Sequence, residues 1–134
     1  MTDANPRLRV PPRVRFGERE RFFDLDQAFE SLPAQSVARD GHIQKALYRS
    51  GDTTTAIFLF EKGAGLARYR LEGEAILQVL AGRLRVTTDE SRYELGPNQI
   101  LLLDPDVPQG MEALERTRLL ITYAGVHDAD RLST

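Results

Sequence analysis

GAGLARYRLEGEAILQVLAG, residues 63–82, is the stretch on which the fold turns. Along a strand, successive side chains point to opposite faces, so each apolar run can be split into two sets. Over Leu66–Leu71 one face is Ala67, Tyr69 and Leu71, and the other is Leu66, Arg68 and Arg70. Unpaired arginines rarely face a core, so the first face is expected inward. In the next segment Ala75, Leu77 and Val79 share an apolar face and are expected to join the same interior. The segment Leu80-Ala81-Gly82-Arg83 reads as a tight hairpin, with Gly82 supplying a conformation that a residue bearing a Cβ adopts poorly.

Outward from this stretch the same rhythm continues. Short runs broken by turn residues predict strands at Gln44–Arg49, Thr53–Phe60, Leu66–Leu71, Ala75–Leu80, Arg83–Thr87, Arg92–Leu95, Gln99–Leu103, Gly110–Ala113 and Arg118–Tyr123. Thr55–Phe60 is apolar on both faces, as a strand covered on both sides would be, and one cover is expected to be a second subunit. One helix is predicted over about 24–32. Asp24 is placed as its N-cap, Gln27 stands three residues on, and Leu25, Ala28, Phe29 and Leu32 form one apolar stripe before Pro33. Residues 1–22 read as an extended basic arm, 23–125 as a barrel with its N-terminal helix, and 126–134 as a polar tail.

Composition narrows the function classes. A chain of 134 residues suits one domain. It has no cysteine, which removes disulfides, thiolate metal sites and cysteine nucleophiles. Twenty acidic against eighteen basic residues leave a net charge of −2, and the arginines of the arm lack interleaved aromatics, so no nucleic-acid partner is expected. No apolar run approaches the ~18–20 residues of a membrane span. The expected setting is the cytoplasm, with no membrane partner.

With those features in place, residues 63–82 resemble the first motif of the cupin superfamily: a glycine, five residues, His-x-His, three or four residues, Glu, six residues, glycine. Gly63 and Gly82 fall on the two glycines. LGPNQILLLDPDVPQ, residues 95–109, runs along the second motif, with Asn98 at its first glycine and Val107-Pro108 approaching its final histidine. Asn is the ordinary residue most tolerant of left-handed backbone, which makes it a fitting stand-in. The resemblance runs from Ala46 to Tyr123. It implies an all-β, cupin-type double-stranded β-helix, a jelly-roll barrel, with one short N-terminal helix.

In metal-binding cupins the ligands are the two histidines and the glutamate of the first motif and the histidine of the second. Those positions here are Tyr69, Leu71, Ala75 and Gln109. Leu and Ala offer no lone pair, and Tyr and Gln are poor ligands beside imidazole. The resemblance therefore implies a barrel with no metal and no cofactor. A spacer of four residues would put Arg68 and Arg70 at the histidine positions, and guanidinium cannot bind metal either. The chain has two histidines: His42, read as a turn or surface residue with a rim role as the alternative, and His127 in the tail.

The interior left behind is apolar with a few polar groups: Tyr69, Gln109, and as further candidates Gln78, Gln99 and Tyr48. Tyr69, Leu71, Ala75, Leu77 and Gln109 are the expected ligand-pocket residues. The same mixture suits a small-molecule pocket and an ordinary filled core alike. Arg68, Arg70, Arg83 and Arg85 read as a solvated face paired to Glu72, Glu74, Asp89 or Glu90, with an anion site as the alternative. The residues favour a homodimeric module that binds a small molecule or serves a structural or regulatory role. The alternative is a metal-independent isomerase or epimerase with Tyr69 as its proton-transfer group.

Overall fold

The computed structural model describes residues 20–34 and 41–125. The arm before residue 20, the tail from 126 and His127 lie outside the described residues. The chain divides into two compact units, Met1–Ser31 and Leu32–Thr134.

In the first unit, α1 spans Leu25–Glu30. The Asp24 carboxylate accepts the Gln27 N–H at 3.2 Å and caps the first turn. Phe29 is the buried residue within the helix. The helix stops short of the predicted end at residue 32. The Ser31 hydroxyl donates to the Ala28 carbonyl at 2.7 Å, and Pro33 biases the residue before it out of helical backbone.

The described residues of the second unit form nine strands: β1 His42–Ser50, β2 Thr53–Phe60, β3 Gly65–Tyr69, β4 Ala75–Ala81, β5 Leu84–Thr88, β6 Arg92–Leu95, β7 Ile100–Leu103, β8 Gln109–Ala113 and β9 Thr117–Ala124. A five-stranded sheet runs in the order β1-β2-β9-β4-β7, and a four-stranded sheet in the order β3-β8-β5-β6. Every pairing is antiparallel. The predicted strands fall on the observed ones with ends within two residues, because alternation and turn residues carry most of the signal in an antiparallel fold.

Both sheets send alternate residues into one core. Phe58, Leu77, Val79, Leu119 and Ile121 come from the larger sheet, and Leu84, Val86, Leu95 and Met111 from the smaller. The register lines up inward rows across the larger sheet. Thr54, Tyr123, Ala75 and Leu103 form one row, and Ala56, Ile121, Leu77 and Leu101 form the next.

Three local readings are corrected. Gly82 does not close a hairpin, because β4 pairs with β7 and β9 while β5 pairs with β6 and β8. It turns the chain from one sheet to the other. Its φ is +92°, and a Cβ there would lie 2.2 Å from the Arg116 carbonyl oxygen, so the corner excludes a side chain twice over. In β3 the register shifts between Leu66 and Tyr69. The extra residue reverses the alternation, so Leu66 packs on the core and Ala67 is exposed. In β1 a shift between Ala46 and Tyr48 sets Tyr48 opposite Thr55, on the outward face.

The turn Gly96–Gln99 behaves as its residues demand. Asn98 has φ 70°, following Pro97, and the Gln99 N–H donates to the Gly96 carbonyl at 3.1 Å. Asp106 repeats the device after Pro105, with φ 65°.

Candidate functional site

The four positions at which a metal-binding barrel of this kind keeps its ligands all point inward. Tyr69, Leu71, Ala75 and Gln109 are each at most 5% exposed. Tyr69 and Gln109 are register partners on β3 and β8, so their side chains lie side by side on the inner face of the smaller sheet. Ala75 on β4 is buried in the same core cluster as Tyr69, and Leu77 follows it two residues on. Tyr69 meets Phe58 edge to face, with ring centroids 6.3 Å apart at 85°. The residues expected from sequence to form a pocket are all buried, with Tyr69, Leu71, Ala75 and Leu77 in one core cluster.

Sequence reasoning missed two members of this neighbourhood. Thr54 and Tyr123 are buried and share a row with Ala75. The alternation Leu119, Ile121, Tyr123 in β9 was the signal that points Tyr123 inward.

The chemistry of the set is neutral. The buried polar residues among those described are Thr54, Thr55, Gln109 and Thr117. Thr117 is engaged: its hydroxyl oxygen lies 3.0 Å from the Arg83 carbonyl and 2.7 Å from the Glu115 carbonyl, and it accepts the Arg83 N–H at 3.2 Å. Thr55 and Thr122 hydroxyls are 3.4 Å apart on the outer side. Gln109 differs from these. Its Oε1 is shut off from solvent and has no hydrogen-bond partner among the described residues.

The donor set does not fit a divalent metal. Two of the four positions are hydrocarbon, and a first-row ion needs three or four N, O or S donors at about 2.0–2.3 Å. Among the described residues, no cluster of three or more His, Asp or Glu stands ready to hold one.

Other candidates lie elsewhere. Gln78 occupies the outward positions of β4, opposite Leu120 and Ile100. Gln99 is exposed, and its Oε1 accepts the Gly96 N–H at 2.7 Å. Neither lines the interior. His42 is no turn residue but the first residue of β1, half-buried and stacked on Phe60 with centroids 5.4 Å apart. Arg83 and Arg85 form the solvated face expected of them, with different partners. Arg83 pairs with Glu94 at 3.2 Å, and Arg85 with Glu112 at 3.2 Å and Glu94 at 3.7 Å. Cross-strand register sets these partners, since Arg85 stands directly opposite Glu94 and Glu112. Arg68 and Arg70 are exposed.

Two antiparallel sheets around an inward cluster at these motif positions define a cupin-superfamily barrel. Solved structures match it in fold. The conserved SPY1581 protein of Streptococcus pyogenes is 23% identical with a TM-score of 0.65, covering 82% of this chain and 91% of that one. A cupin superfamily protein, DSY2733, of Desulfitobacterium hafniense is 20% identical with a TM-score of 0.64, covering 80% and 93%. KdgF from Halomonas sp. is 20% identical with a TM-score of 0.62, covering 67% and 85%. A search of the curated proteins returned no match. Residues 61–127 match the AraC-like ligand binding domain, and the chain belongs to that family. Among the described residues no helix is long and apolar enough to cross a membrane.

Proposed function

We propose that this protein is a small-molecule-binding module that works without a metal, with its site in the barrel interior at Tyr69, Leu71, Ala75, Leu77 and Gln109. The observation that carries the reading is the Gln109 amide oxygen, buried with no partner among the described residues. Leaving a buried acceptor unpaired costs about 1–3 kcal/mol, which a ligand supplying a donor recovers. Membership of a ligand-binding family supports the same reading. A thermal-shift screen of small molecules on the full chain tests it. A binder raises the unfolding temperature in proportion to the logarithm of its concentration above Kd. Gln109→Leu should weaken that shift for a compound that carries a hydrogen-bond donor. A donor-bearing binder whose shift is unchanged by the substitution places the site elsewhere.

The isomerase reading has less support. Tyr69 would need a second proton-transfer group, and no carboxylate or imidazole is buried with it among the described residues.

We further propose that the module is a cytoplasmic homodimer. Ile57 and Leu59, on the outward face of β2, are already buried within one chain. The outward face at the β4–β7 edge is instead open, with Ile76, Ile100 and Leu102 at 38%, 53% and 61% exposure. Ile76 and Leu102 are register partners, and Ile100 lies diagonally from them opposite Gln78, so the three form one patch beside a sheet edge. Leu102→Glu should shift sedimentation from dimer to monomer without altering the fold; a dimer that persists removes this interface.

A further inference from the structure

We infer that the interior site selects a neutral, largely apolar molecule that donates one hydrogen bond, a hydroxyl or N–H on a hydrocarbon body, and rejects anions. This rests on the reading of the barrel interior as the ligand site and goes on to its chemistry.

The core side chains set the body of the ligand. Phe58, Leu71, Ala75, Leu77 and Met111 are buried and offer hydrocarbon and ring surface. The unpaired atom sets the handle. Gln109 Oε1 is an acceptor, so the group that satisfies it must carry a proton. A carboxylate or phosphate brings only lone pairs and would set oxygen against oxygen.

Charge compensation decides against anions a second time. Burying an ionised group needs a paired opposite charge. The described buried polar residues are neutral throughout. Of the arginines of the smaller sheet, Arg68 and Arg92 are exposed, while Arg85, with Arg83 just before β5, lies on its outer face and is held by Glu94 and Glu112. Gln109 faces inward, so the Arg83 and Arg85 guanidinium groups are on the opposite side of the sheet from it.

Gln109 also explains how the site discriminates. A hydrophobic slot separates molecules that differ by a hydroxyl weakly. A buried group that must be paired separates them strongly, because the analogue lacking the donor leaves it orphaned. The amide could present Nε2 in place of Oε1 after a half-turn, and it would then choose an acceptor. That alternative has its own signature in the test.

Four aromatic probes of similar size separate the cases, titrated into the full-length protein while the methyl resonances of Leu71, Ala75, Leu77 and Met111 are followed by NMR. Phenol has a donor, anisole an acceptor only, toluene neither, and benzoate a charge. The expected order is phenol first, about tenfold tighter than toluene or anisole, with benzoate moving none of the interior methyls. In Gln109→Leu the advantage of phenol over toluene should vanish while toluene binding remains. Anisole exceeding phenol, or benzoate binding best, would overturn the ligand class and leave the site standing. Phenol and toluene binding alike in both proteins would do the same. If no probe moves an interior methyl, the ligand site itself is overturned.

Discussion

Replacing Gln109 by leucine should make this protein more stable. The side chain is 3% exposed and lies beside Tyr69 in an interior of leucine, valine and aromatic side chains. Its Oε1 pairs with nothing among the described residues. An unmet buried acceptor costs about 1–3 kcal/mol, and leucine has nearly the volume of glutamine without the polar atoms. A gain of about 1–2 kcal/mol is expected. For a chain of this size each kcal/mol moves the unfolding temperature by about 3–5 °C. In urea the midpoint should rise by about 0.5–1 M at unchanged slope. Gln109→Glu supplies the opposite sign and a pH dependence. A carboxyl buried there has its pKa raised above the ordinary value of about 4.3, so the folded state holds the proton longer than the unfolded chain. The variant should then lose stability as pH climbs from that value toward neutrality, and approach the parent's stability below it. A Gln109→Leu protein less stable than the parent by more than about 1 kcal/mol would refute the reasoning, because it would mean that the amide is hydrogen-bonded.

The corner between the two sheets yields two more. Gly82→Ala forces a Cβ into positive φ and against the Arg116 carbonyl, and should cost about 2–4 kcal/mol in urea unfolding. Thr117→Val keeps the shape but strips the hydroxyl that serves Arg83 and Glu115, and should cost about 1–3 kcal/mol by the same assay. Because Gly82 lies against Thr117, the double variant should cost less than the sum of the two.

How much of this was legible in the sequence depends on what each residue had to announce. Strand positions were legible because burial alternates cleanly, as in Ala75–Val79, where buried and more open residues take turns. The inward set Tyr69, Leu71, Ala75 and Gln109 followed from motif spacing and alternation together. Asn98 was legible as a glycine substitute because its side chain tolerates left-handed backbone, and its φ of 70° agrees. Bulges were not legible. An inserted residue at Ala46/Tyr48 or Leu66/Tyr69 leaves no compositional mark, yet it flips every side chain beyond it, which misplaced Tyr48 and Ala67. The Gly82 turn was misread because a glycine that reverses a hairpin and one that carries the chain between sheets look the same locally. Only the long-range contact with Arg116 and Thr117 tells them apart. The ion-pair partners of Arg85 were equally nonlocal, since Glu94 and Glu112 reach it through register and not through nearness in the chain.

The central claim is that the positions where this fold holds a metal now form a neutral site for an organic ligand. Metal content by mass spectrometry on protein purified without an affinity tag, with thermal unfolding run with and without chelator, tests it most directly. The account predicts no stoichiometric metal and an unfolding temperature that chelator does not move. One metal per chain, with a transition lowered by chelator, would contradict the assignment of Tyr69, Leu71, Ala75 and Gln109.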